Sequence, residues 1–204
     1  MNTNRFLLIL LAIFLVVSCE KSDIEHENAF ERSYQAWLDF KAVNNDSYRY
    51  EVVGATWAGA AWSTTITVRE GQVVQRDFHY TQFEDQRMPD SGWNLASATN
   101  LLANFNIPAD EYEEREARTL LETLQWTETE ASLGIHEQTP ASAIQTLDDI
   151  YETARTVWLK KRNDADISFE AKNNGMISTA GFVPHGCVDD CFTGISIRLI
   201  ETID

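Results

Sequence analysis

The chain has 204 residues, 44% of them hydrophobic, which suffices for one domain with a real core. Its formal net charge is −16, and beyond the first eighteen residues, where Arg5 is the only charged group, 15 basic side chains stand against 32 acidic ones. That sign excludes nucleic acid as a natural partner and argues against the folded domain lying flat on an anionic leaflet, so the acidity reads first as solubility.

At the N-terminus Arg5 precedes twelve apolar residues, Phe6 to Val17. Twelve residues at 1.5 Å rise span roughly 18 Å, short of the about 30 Å of a bilayer core, so residues 1–18 read as a signal peptide rather than a membrane span. Leu15-Val16-Val17-Ser18-Cys19 resembles a bacterial lipobox, and the resemblance implies that Cys19 is lipidated and becomes the first mature residue. The alternative is an ordinary secretory signal with a cysteine nearby. Several acyl chains at about 0.8 kcal/mol per buried methylene would make the membrane a permanent partner through the lipid on Cys19. Glu20, by resemblance to sorted lipoproteins, favours the outer membrane of a bacterial cell envelope. Residues 19–28 read as an acidic tether, with Glu20 to Glu25 similar to surface-export tethers; periplasmic and surface faces both stay open.

Ala29 to Val43 carries Phe30, Tyr34, Trp37, Leu38 and Phe40 at helical spacing and stops at Asn44-Asn45-Asp46. Tyr48 to Val52 and Trp62 to Arg69 alternate as half-buried strands, and Glu70-Gly71 turns the chain into a third strand from Val73 to Tyr80. A three-stranded antiparallel meander is expected. Trp57 and Trp62 flank a small flexible connection; they are candidates for an aromatic clamp on sugar or peptide, against the plainer expectation of structural indoles at strand ends. Residues 82–138 read as a helical insertion, with a loop at Met88 to Gly92, a helix from Leu95 to Phe105 and an acidic helix from Asp110 to Glu130, whose glutamates Glu111, Glu113, Glu114 and Glu116 suit a helix N-terminus.

After Gly134 and Pro140, Thr146-Leu147-Asp148-Asp149-Ile150-Tyr151 sets a cap, two first-turn acids and the start of an apolar stripe that continues through Ala154, Val157 and Trp158 to Lys160-Lys161-Arg162. Ile167 to Lys172 and Met176 to Val183 flank Asn173-Asn174-Gly175 as a hairpin, and Gly194 to Ile200 makes a last strand. The expected fold is α+β, an antiparallel sheet from an N-terminal meander and a C-terminal hairpin packed on helices, in a single domain over residues 29–204.

Ser47-Tyr48-Arg49-Tyr50, Val68 to Val74, Thr146 to Tyr151 and the C-terminal hairpin together resemble a family of small bacterial secreted proteins and lipoproteins grouped as a domain of unknown function. The resemblance covers about half of the mature chain. It implies a hairpin, helix and hairpin module of the kind found in inhibitory or binding domains of the periplasm, and it brings no catalytic residues. The chain departs from the family in the insertion and in Asn173-Asn174-Gly175, where members often carry an aromatic-glycine-proline turn.

Cys187-Val188-Asp189-Asp190-Cys191 is the sharpest chemical feature. Extended, cysteines four apart would sit about 13 Å from each other, beyond the roughly 4.4 to 6.8 Å that a disulfide allows, so pairing demands a turn. An oxidising envelope favours pairing. The rival reading makes His185, Cys187, Asp189 and Cys191 a zinc or copper site. Asp164, Asp166 and Ser168 begin like a calcium loop, but Phe169 and Gly175 stand where glycine and glutamate are required. No serine-hydrolase, zinc-protease or phosphate-loop pattern appears, and His136-Glu137 runs into Pro140. Two functions follow: a non-catalytic, cofactor-free envelope lipoprotein with a binding or structural domain for an envelope protein or glycan, or a metal-binding or enzymatic protein centred on His185 to Cys191.

Overall fold

The computed structural model describes residues 23–104 and 114–203. The signal peptide, Cys19 and the glutamates Glu111 and Glu113 lie outside the described residues. Within them the elements are α1 (Glu27–Val43), β1 (Tyr48–Ala55), β2 (Ala61–Arg69), β3 (Gln72–Phe83), β4 (Gln86–Arg87), α2 (Leu95–Asn104), α3 (Glu114–Leu124), β5 (Gln125–Thr129), α4 (Leu147–Thr153), β6 (Ala165–Glu170), β7 (Thr179–Pro184) and β8 (Thr193–Thr202). The strands form one antiparallel sheet in the order β4-β3-β2-β1-β8-β7-β6, with β5 also on β3. The α+β expectation holds, and β8 is the seam: it pairs with β1 of the meander on one side and β7 of the hairpin on the other.

Turn chemistry sets the register. Glu70 and Gly71 have φ of 48° and 78°, the left-handed pair of a tight hairpin, and Arg69 faces Gln72 directly. Asn174 and Gly175, at 52° and 87°, make the same turn, but it closes only the isolated bridge Asn173↔Met176. The ladder of β6 and β7 begins further out at Glu170↔Thr179. β6 therefore lies two residues earlier than Ile167–Lys172 at the same length, and β7 is shorter than Met176–Val183, because Met176 and Ile177 leave the ladder to enter the core.

The main core lies between one sheet face and two helices. Phe30 and Trp37 of α1 and Leu147, Ile150 and Tyr151 of α4 pack on Tyr48, Tyr50, Ile66, Val68 and Ile197. The smaller core joins α2 and α3 through Trp93, Leu101, Leu102 and Leu124, against Tyr80 and Phe83 of β3.

Three expectations need correction. The acidic helix does not reach Glu130: it stops at Leu124, and Gln125-Trp126-Thr127-Glu128-Thr129 pairs with β3 because alternation sends Trp126 and Glu128 to the faces of Phe78 and Arg76. The helix opened by Thr146 is α-helical only to Thr153 and then takes a π turn, Ala154–Trp158, with Leu159 N–H donating to Ala154 O. The wider turn shifts the phase, so Leu159 is buried where Val157 was expected, and Val157 is exposed. Finally, the domain starts before Ala29. Ile24 is buried and bridged to Lys160, Glu25 N–H donates to Leu159 O and Lys161 N–H to Asp23 O, so residues 23–28 belong to the fold rather than to a tether.

Candidate ligand cleft

The sheet has a split in it. β1 and β8 pair from Tyr48↔Thr202 to Val52↔Ile197, with a bulge at Arg198 between the partners of Glu51 and Val52. Beyond the bulge they separate: β1 runs on to Ala55 beside β2 alone, and β8 reaches back to Thr193 beside β7 alone. Between them opens a cleft of about 1150 Å³, slightly larger than the roughly 300–1,000 Å³ of ordinary small-molecule pockets. Val53, Gly54 and Ala55 form one wall and Gly194, Ile195 and Ser196 the other, with Trp62, Ala143 and Trp158 also lining it.

The bulged residue pins the split. Arg198 Nε donates to Glu51 Oε2 at 2.7 Å while its Nη2 and the Ser63 hydroxyl both donate to Glu51 Oε1. Glu51 and Ser63 are buried, so this carboxylate is satisfied by three donors at the bulge, one rung before the strands part.

Aromatic rings shape the walls through glycines. A Cβ on Gly54 would lie 2.5 Å from the Trp62 indole, and one on Gly181 would lie 2.5 Å from the Phe192 ring, so both rings rest on bare backbone. Cys187 and Cys191 lie at disulfide distance with Cα atoms 6.2 Å apart, and the loop between them forms the rim. Asp190 in that loop accepts the Trp57 N–H at 3.0 Å, which ties the backbone of the 76% exposed Trp57 to the rim, and the exposed Val183 and Phe192 line the cleft. Of the two tryptophan candidates, Trp62 lines the cleft and Trp57 stands at its edge.

The four members of the supposed metal set are not convergent. The two sulfurs meet each other, and His185 Nε2 lies 3.3 Å from Asp166 Oδ1. Among the described residues no group of three or more histidine, cysteine, aspartate or glutamate side chains is placed to hold a metal ion, and no helix is long and apolar enough to cross a membrane.

A second polar centre lies under the meander. Glu128, fully buried, accepts Arg76 Nε and Nη2 at 2.9 and 2.8 Å and the N–H groups of Gly134 and His136 at 3.0 and 2.8 Å. Burial alone would raise its pKa, but the Arg76 guanidinium and these donors outweigh it and hold the carboxyl at about 2. His136 stacks on Trp126 at 4.2 Å and Arg76 donates to Ser142 O, so the cluster ties the 130–145 loop, which floors the cleft, to the sheet.

No family model, curated protein or solved structure matches the chain.

The cleft itself was not visible in the sequence, because it arises from two strands that part after pairing. Its only local signals are glycines inside strands, Gly54, Gly181 and Gly194, which mark close approach of a ring or of another backbone.

Proposed function

We propose that the protein is a lipid-anchored bacterial cell-envelope lipoprotein whose folded domain is a non-catalytic binding module, and that the β1/β8 cleft is its binding site. The observation that carries the binding part is the cleft's construction: a split ladder and an aromatic and aliphatic lining that includes the exposed side chains of Val183 and Phe192. Cys19 supports the anchoring part through the lipobox resemblance. Because Asp23 and Ile24 already belong to the fold, a lipid on Cys19 would hold the domain within about 14 Å of fully extended chain from the membrane surface.

The test has two arms. The full chain and its Cys19→Ala variant, expressed in a Gram-negative host fed an alkyne fatty acid, should differ completely: label and membrane fractionation with Cys19, neither without it. Unlabelled wild-type protein would overturn the anchor. A photo-crosslinking amino acid at Phe192 should give a discrete envelope adduct that the same group at Glu122, on the remote face of α3, does not. Equal adducts from both positions would overturn the cleft as the binding site.

A further inference from the structure

We propose that the cleft binds an extended, neutral-to-basic peptide segment, which enters as a strand between β1 and β8. The inference rests on the binding reading above and adds the class of ligand.

In an antiparallel strand the N–H and C=O of successive residues point to alternate edges. Thr56 N–H donates to Ala60 O on the β2 side, so the main-chain groups of Ala55 and Val53 point the other way, toward β8. Ile197 N–H donates to Ser178 O on the β7 side, so those of Ser196 and Gly194 point toward β1. Had the ladder continued past Val52↔Ile197, Val53 would meet Ser196 and Ala55 would meet Gly194; neither pair forms. Donors and acceptors of four residues thus face one another across the cleft with no ladder between them.

That pattern selects main chain as the occupant. Donor and acceptor pairs repeat at every second residue along both walls, a spacing of about 6.8 Å that another extended backbone reproduces and a compact small molecule meets only once. Since β1 and β8 are antiparallel, the inserted strand runs antiparallel to one wall and parallel to the other. Its alternate side chains face the apolar side of Trp62, Trp158 and Ala143. Charge sets the rest: Asp189 and Asp190 line the cleft at the disulfide loop, and the chain as a whole carries −16, so an acidic segment is repelled and a lysine or arginine flanking the strand is matched.

The probe is a fluorescein-labelled heptapeptide of alternating valine and threonine with lysine at each end, titrated into the full chain in mild detergent. Saturable binding is expected, with amide exchange slowed at Val53, Ala55, Gly194 and Ser196. N-methylation of alternate peptide amides should weaken binding at least tenfold, as should glutamate in place of both lysines. Ala55→Pro, which removes an N–H aimed into the cleft and none from the β2 ladder, should weaken it several-fold with unchanged far-UV circular dichroism. Equal binding of the N-methylated peptide, or binding without slowed exchange at those amides, overturns the strand proposal. If the peptide does not bind but an oligosaccharide or a small apolar dye protects the cleft, the strand proposal falls and the binding reading stands; if none of the three protects it, both fall.

Discussion

Arg198, the bulged residue of β8, donates through its guanidinium to both oxygens of Glu51 on β1, just before Val52↔Ile197, the last rung the two strands share. The pair decides where the sheet closes and where it opens. Arg198 is itself more than half exposed, while Glu51 is buried, so loss of the cation leaves a buried carboxylate held only by Ser63. Arg198→Ala should cost about 1–3 kcal/mol in urea unfolding, and amide exchange at Leu199 and Glu51 should accelerate as the split lengthens. Unchanged exchange there would mean that packing, not the ion pair, ends the ladder.

The buried Glu128 gives a pH signature. Its folded pKa of about 2 lies below the ordinary value of 4.5, so its contribution is fully present above pH 4.5 and is lost as pH falls toward 2. The difference corresponds to about 3 kcal/mol. Stability measured by urea unfolding should drop across that window, and Glu128→Gln should flatten the drop while lowering stability at pH 7. A Glu128→Gln profile parallel to wild type would place the acid sensitivity elsewhere.

Cys187 and Cys191 lie at disulfide distance, and a bond between them would close a loop of five residues, for which chain-entropy arithmetic gives about 2 kcal/mol. Reduction should therefore lower the unfolding midpoint slightly and leave the sheet intact. The local effect should be larger, because the same loop presents Asp190 to the Trp57 N–H: reducing agent should speed exchange at that amide. Global unfolding on reduction would contradict this placement of the disulfide at a rim.

Tyr48 ties two distant motifs together. Its hydroxyl accepts Leu147 N–H at 2.9 Å, at the first turn of α4, where no intrahelical partner exists. Tyr48→Phe leaves that buried donor unpaired and should destabilise the domain by about 1–3 kcal/mol without altering cleft exchange. A neutral substitution would show that the donor finds another partner.

That bond also explains which parts of the fold were legible. Ser47-Tyr48-Arg49-Tyr50, the Glu70-Gly71 turn and Thr146 to Tyr151 stood out as motifs because each follows a local rule: alternation, a left-handed turn pair, a capping box. The structure makes them neighbours. Tyr50 donates to Gln145 O, the Ser47 hydroxyl accepts Glu70 N–H, Thr146 and Asp149 cap one another, and the Tyr151 hydroxyl accepts Ile177 N–H. Their chemistry is thus spent on the core and gives no direction to a ligand. What escaped local rules were features set by partners far along the chain. Trp126 and Glu128 lie in a strand only because Phe78 and Arg76 stand opposite, and Ile24 is core only because Lys160 bridges it. The cleft is of the same kind: Val53 and Ser196 are 143 positions apart, and nothing in either segment states that they fail to pair.

The most direct measurement is site-resolved amide exchange on the full chain without ligand. Open facing edges predict fast exchange at Val53, Ala55, Gly194 and Ser196, interleaved with slow exchange at Val52, Gly54, Ile195 and Ile197, whose N–H groups point to β2 and β7. Uniform protection across both sets would mean that β1 and β8 are paired to their ends, and the cleft on which the functional account stands would not exist.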